Sequence, residues 1–179
     1  MIFIMGTKFL IRQADVEDAQ AIAQVSFITW PHTYRGILPD EKIDSRNLGS
    51  VTETWNQILN QNLSNSETLV AIRGESIIAY SRFYPSVDID DEPARVATIG
   101  SIYVLPSFQR QGVGRELMEA ILRVAKAQRF EELTLHVLAA NEGARRFYEE
   151  LDWTQDVNPN IENSEGDLAP KVRYRKKQL

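Results

Sequence analysis

The chain has 179 residues, 43% hydrophobic and 25% charged, the composition of one globular domain and not of a largely disordered protein. Its 20 basic and 25 acidic residues leave a net charge of −5, which argues against a sequence-independent grip on a nucleic acid. No apolar run approaches the roughly 20 residues of a membrane span, and the absence of cysteine removes disulfides, thiolate metal sites and any cysteine nucleophile and suits a cytoplasmic address.

Met1–Met5 is apolar but too short for a signal segment; Met5 is an equal candidate for the start, so 1–7 is expected to precede the fold and 1–179 to form a single domain. Lys8–Gln13 reads as a strand. Asp15, with Asp18 three residues on, offers a helix cap, and Val16, Ala19, Ile22, Ala23 and Phe27 follow helical spacing until Pro31 is expected to stop the helix near Trp30. Leu38-Pro39-Asp40 opens a short second helix, and Ser50–Gln61 reads as an amphipathic third, with Val51, Trp55, Ile58 and Leu59 on one face. Asn62-Leu63-Ser64 matches a glycosylation acceptor, inert without secretion.

Beyond it the period changes. Thr68–Ile72 and Ile77–Tyr84 are β-rich runs joined by the tight turn Arg73-Gly74-Glu75-Ser76. Asp88–Pro93 is an acidic loop, expected to be solvated or to attract a cationic acceptor. Val96–Leu105 is a strand stopped by Pro106, and Val113, Leu117, Met118, Ile121, Leu122 and Ala125 make an apolar helical stripe. A strand at Leu133–Leu138, a helix at Asn141–Leu151 and a strand at Trp153–Val157 follow. Asn158–Ala169 reads as a loop, and Lys171–Lys177 alternates Val172 and Tyr174 with basic residues, as a half-exposed strand with a solvated basic face does. The order is that of a mixed α/β, or α+β, single domain. His32 and His136 stand too far apart to suggest a metal site.

Two segments carry chemistry. In Gln109-Arg110-Gln111-Gly112-Val113-Gly114, between a strand and a strong helix, two glycines permit close backbone approach. The amides from Gln111 to Arg115 are left unpaired at the helix start, a site for a pyrophosphate to which Arg110 and Arg115 add charge. No Lys-Ser/Thr pair follows, so it is not a nucleotide-hydrolysing loop, and the third glycine of a dinucleotide fingerprint is missing. In Leu133–Trp153 a strand leads into a helix on which Asn141, Arg145 and Tyr148 share a face, with Ala144, Phe147 and Leu151 on the neighbouring core side.

Together these segments resemble the GNAT superfamily of N-acetyltransferases. Gln109, Gly112 and Gly114 match its Gln/Arg-x-x-Gly-x-Gly/Ala motif, and Asn141, Ala144, Phe147 and Tyr148 its Asn-x-x-Ala-x-x-Phe-Tyr pattern. Trp30–Asp40 is similar to the acceptor-side helix pair of a broad bacterial branch. The resemblance implies a mostly antiparallel twisted sheet flanked by helices, with a splayed parallel pair, Ile99–Leu105 and Leu133–Leu138, holding acetyl-CoA as cosubstrate without a metal. It implies an acyltransferase acting on a small-molecule or peptide amine, with no nucleic-acid or membrane partner, and by analogy it allows a homodimer.

Tyr103, Val104, residues Gln109 to Arg115, Asn141, Ala144 and Tyr148 are the implied cofactor contacts, with the Val104 amide polarising the thioester and Tyr148 as general acid. Two positions depart from the family: Asp152 replaces a usual glycine, and Thr98 stands where some members carry a catalytic glutamate. The base is therefore open among His136, Glu75, Asp88, Asp90, Asp91 and Glu92, and the alternative is a non-catalytic acyl-CoA-binding module. Trp30, His32 and Tyr34 either wall an acceptor pocket or anchor a helix end.

Overall fold

The computed structural model describes residues 4–5, 9–61, 63–156 and 169–177. Residues 158–168 of the expected loop Asn158–Ala169, Lys8, Val157 and the glycosylation-type Asn62 lie outside the described residues. Ile4–Met5 (β1) pairs antiparallel with Leu10–Gln13 (β2), which leads into a single turn at Val16–Asp18. That turn carries the capping box expected at Asp15 and Asp18, and the Asp18 carboxylate is gripped by Arg12 at 2.5 and 2.8 Å. Helix α1, Ala19–Tyr34, does not stop at Trp30. Pro31 removes one N–H from the ladder, yet the last turn holds because Arg35 N–H reaches the Pro31 carbonyl and the Thr33 hydroxyl donates to Thr29 O. Trp30 and Tyr34, one turn apart, stack edge to face at 5.0 Å across the proline.

The short α2, Asp40–Asp44, and α3, Leu48–Asn60 capped by Asn47, follow. The strands β3 (Glu67–Arg73), β4 (Ser76–Pro85) and β5 (Val96–Val104) form an antiparallel meander. Helix α4, Val113–Ala127, leads to β6, Glu132–Leu138, and helix α5, Glu142–Glu149, to β7, Thr154–Gln155, and β8, Lys171–Lys177. Among the described residues the eight strands join in one sheet of order β1-β2-β3-β4-β5-β6-β8-β7, in which only β5 and β6 run parallel.

Leu133, Leu135 and Val137 of β6 pack with Leu117, Met118 and Ile121 of α4 on one face. On the other, α1 and α3 cover β2 to β5 through Ile22, Val25, Trp55, Val70 and Tyr80. No helix among the described residues is long and apolar enough to cross a membrane.

The face of β6 and β8 beyond the reach of α1 and α3 is covered by the β4–β5 loop, and two expectations are corrected here. The acidic loop is not a solvated hairpin and the basic strand is not a solvated face, because each neutralises the other. Arg173 is 2% exposed and pairs with Asp88, Asp90 and Asp156 at 3.1, 2.6 and 2.8 Å. Arg175 pairs with Asp91, Glu132 and Asp156 at 2.6 to 2.8 Å. Alternation along β8 puts these arginines under the loop while Tyr174 faces the core.

Candidate functional site

The parallel pairing of β5 and β6 ends at Ile99 opposite Leu135, so Gly100–Val104 has β4 on one side and an open cleft on the other. A bulge marks the departure: Ser101 pairs with Arg82 but Ile99 with Phe83, leaving Gly100 unmatched. A Cβ on Gly100 would lie 2.5 Å from the Tyr84 ring, so a side chain there would have to displace that ring. A glycine inside a strand pattern is a signal for such a bulge, and it was readable in the sequence.

Leu105 N–H donates to Ile78 O at 2.9 Å, which fixes the phase of the β4–β5 ladder. Residues 105 and 103 therefore turn their main-chain groups to β4, and Val104 and Ile102 turn theirs to the cleft. Tyr103, an expected cofactor contact, thus gives its main-chain groups to the sheet, and Ile102, not singled out in the sequence, turns its own to the cleft. The Val104 carbonyl is occupied by the Gln109 side chain at 3.0 Å, so Gln109 ties the loop to the strand and the Val104 N–H stays open.

Past Pro106 the chain turns through Arg110, at φ +59°, and Gly112, at φ +88°, into α4. Nothing lies within 4 Å of a Cβ built on Gly112, so backbone conformation is what requires glycine there. Gly114 is different, because its Cβ would stand 3.4 Å from Phe147 and 3.7 Å from Val104, which brings loop, β5 and α5 together. Helix α4 has no side-chain cap, and the main-chain amides from Arg110 to Arg115 find no acceptor among the described residues. Arg110 and Arg115 are exposed beside them.

On α5, Asn141 caps the helix by accepting from Ala144 N–H at 3.1 Å, leaving its amide NH2 without an acceptor among the described residues. Arg145 spends its guanidinium on the Tyr174 hydroxyl, Ala139 O and Gln155, so it is engaged within the fold. Tyr148, 7% exposed, packs its ring against Phe147, Trp153 and Tyr174. Burial, and then the nearby Tyr34 phenol, push its hydroxyl well above the ordinary tyrosine range.

Tyr34 also shares a hydrogen bond of 3.3 Å with the Tyr103 hydroxyl, so α1, β5 and α5 each bring a phenol to the same region. His32, between Trp30 and Tyr34, points out to solvent and does not join them.

The candidate bases separate clearly. Glu75 is exposed at the hairpin tip, eight residues along β4 from Phe83, roughly 25 Å from the point where the strands part. Asp90 and Asp91 hold the arginines of β8, and Glu92 stands 3.8 Å from Arg95. Thr98, in place of a glutamate, is buried with its hydroxyl 2.9 Å from Thr134. His136 is the first residue of β6 past the parting point, on the same face as Thr98 and Thr134, and its Nε2 meets the Asp88 carboxylate at 2.9 Å. Asp88 and His136 lie 48 residues apart, and no sequence spacing marks that pair. No group of three or more histidines and carboxylates able to hold a metal occurs among the described residues.

Residues 24–153 match the acetyltransferase (GNAT) family. The chain is 28% identical over 108 residues to the uncharacterised N-acetyltransferase YuaI of Bacillus subtilis, a match covering 60% of this chain and 59% of that relative's length. Among solved structures it is similar to PaiA N-acetyltransferase from Thermoplasma acidophilum in complex with coenzyme A, with TM-score 0.76, 21% identity and coverage of 97% and 99% of the two chains. It is similar too to ribosomal-protein-S5-alanine acetyltransferase from Vibrio fischeri, with TM-score 0.75, 14% identity and coverage of 99% and 97%.

Proposed function

The chain belongs to the acetyltransferase (GNAT) family, and on that premise we propose that it transfers the acetyl group of acetyl-CoA directly to a primary amine of a small molecule or peptide. One observation carries the reading: an uncapped helix with a row of unpaired amides meets an open strand edge at Val104. Such amides, at the positive end of the α4 dipole, suit a pyrophosphate, and the free edge of Ile102 and Val104 suits an amide-bearing arm laid along it as an added strand.

When bound, acetyl-CoA supplies an acyl group already activated as a thioester, which removes the need for a covalent enzyme nucleophile. Val104 N–H then donates to the acyl oxygen, a fixed dipole aimed where negative charge grows. Tyr148 keeps its proton at any working pH, because burial disfavours the phenolate, and its O–H donates to the departing sulfur. An alkylammonium with a pKa of about 10.4 is mostly charged at neutral pH, and freeing it costs about 4–5 kcal/mol. With its Nε2–H donating to the Asp88 carboxylate, His136 presents Nδ1 to accept the ammonium proton. Of the two protons the ammonium loses, one ends on the thiol and one passes through His136 to solvent.

The test is free-thiol release from acetyl-CoA against pooled polyamines, amino acids, aminoglycosides and short peptides. Tyr148→Phe is expected to lower kcat by about a hundredfold, within the usual range for a general acid, and to leave CoA affinity within about twofold. Equal loss of both would remove Tyr148 from the acid role. Tight CoA binding with no transfer to any pool would favour a non-catalytic acyl-CoA-binding module, the reading that the Thr98–Thr134 pair supports.

A further inference from the structure

Arg12, Arg35, Arg95, Arg173 and Arg175 each hold a carboxylate. Arg46, in the link between α2 and α3, holds none among the described residues. Its guanidinium lies over the Trp30 ring, 4.4 Å from the centroid, and Nη2 donates to the Ser26 hydroxyl at 3.1 Å. Nε is buried with no partner among the described residues, and Nη1, which has no acceptor there either, is not buried. One bond for a fork of five donors is an unfinished site, since most buried donors in folded proteins are matched; the other buried donors without a partner here, on Thr29, Ser66 and Trp153, are single neutral groups.

The location adds to this. Ser26 stands beside the Tyr80 hydroxyl, which in turn stands beside Ser101 in the bulge where β5 leaves β6. Trp30 stacks on Tyr34, and Tyr34 bonds to Tyr103. The charge of Arg46 reaches the Tyr80 and Tyr103 hydroxyls. Arg46 therefore sits on the acceptor side of the cleft, on the sheet face that α1 covers, with its open edge toward solvent.

We propose that Arg46 recognises a carboxylate on the acceptor, so that the amine acetylated by this chain is that of an amino acid and not of a polyamine. A guanidinium presents paired N–H donors in a plane and takes a carboxylate in two parallel bonds, and the indole floor holds that plane in place. A polyamine would bring a second positive charge against Arg46, a repulsion with no described carboxylate on Arg46 to relieve it. The acidic loop, the feature that suggested a cationic acceptor, is already spent on Arg173 and Arg175. In the transfer, the amino-acid nitrogen bonds to the acetyl carbon as the carbon–sulfur bond breaks, giving an N-acetyl amino acid and the free thiol. This assignment rests on the acetyltransferase reading for the reaction, but not for the binding.

The test uses the full chain and two readouts. A pool of the common L-amino acids, a pool of their carboxamides, and spermidine are compared as acceptors by thiol release. The same ligands are titrated calorimetrically into the protein with and without CoA. The acids are expected to bind and to exceed the amides at least tenfold in kcat/KM. Arg46→Gln is expected to bring that ratio to about one while CoA affinity stays unchanged, and Arg46→Lys to keep part of the preference. Amides or spermidine used as well as acids, a preference that survives Arg46→Gln, or no binding of the acids would overturn the proposal. Arg46-dependent binding of acids without any thiol release would sink the transferase reading and leave the carboxylate site standing.

Discussion

Replacing Arg173 by methionine isolates the energetics of the cluster that joins the β4–β5 loop to the sheet. The methionine fills much of the same volume, so the change is chiefly electrostatic. Arg173 is 2% exposed and three carboxylates lie within 3.1 Å of it, with side-chain exposures of 21 to 30%. Removing one partner of a buried ion pair costs about 3–5 kcal/mol, because the opposite charge is left desolvated. Here Asp156 keeps Arg175 at 2.7 Å, Asp88 keeps His136, and the carboxylates retain some water, so the lower end applies, about 3 kcal/mol. For a chain of this length that is roughly 6–12 °C in melting temperature.

The pH dependence gives the sharper test. Burial tends to raise the Asp156 carboxyl, but the hydrogen bond from Arg175 and the charge of Arg173 outweigh it and hold the group below the ordinary range. A depressed carboxyl contributes stability above its unfolded pKa near 3.9 and loses it as pH falls through the folded value. In Arg173→Met that depression shrinks and the remaining carboxylates repel. The deficit against the parent protein should therefore be largest near pH 7 and narrow below about pH 4. Urea unfolding of both proteins at pH 7, 5 and 3 measures it. A deficit under 1 kcal/mol at pH 7, or one that does not narrow in acid, would refute a buried electrostatic role.

Other predictions concern the cleft. His136→Gln is expected to lower kcat/KM by about a hundredfold at neutral pH, within the usual range for a general base. Asp88→Asn should do the same more weakly, and an unaltered kcat/KM in both would dismiss the imidazole as base. Gly112→Ala, at φ +88° with open space around it, should cost about 1–2 kcal/mol and weaken CoA binding, because the strained loop re-aims its amides. Thermal melts with and without CoA check this, and an unchanged melt would show that the left-handed turn is not required.

Much of the sheet was legible along the chain because its signals are local. The Arg73–Ser76 turn, the stop at Pro106 and the capping box at Asp15 act within a few residues, and the structure has all three. Pro31 was misleading because its propensity is also local, whereas the helix around it is held by tertiary burial of Ile22, Val25 and Thr29 and by the Trp30–Tyr34 stack. Arg145 shared a helical face with Tyr148 in the pattern, but β8 brought it a tyrosine hydroxyl 29 residues away. The alternation of Lys171–Lys177 was correct as a strand and wrong as a solvated one, since period two states that two faces differ and not what covers them.

Sequence alone determined the two strand–turn–helix units, the glycines that permit them and the unpaired amides at the head of α4, since dihedral preference and helix termini depend on adjacent residues. Which main-chain groups face the cleft was decided by the register of β4 on β5, where a single bulge at Gly100 shifts the alternation. The meeting of His136 with Asp88, of Tyr34 with Tyr103 69 residues on, and of Arg173 with carboxylates 83 and 85 residues before it required the closed sheet. Charges and hydroxyls so far apart along a chain carry no spacing rule. They are brought together only when the apolar faces of the sheet choose their helices and leave one face for a loop to cover.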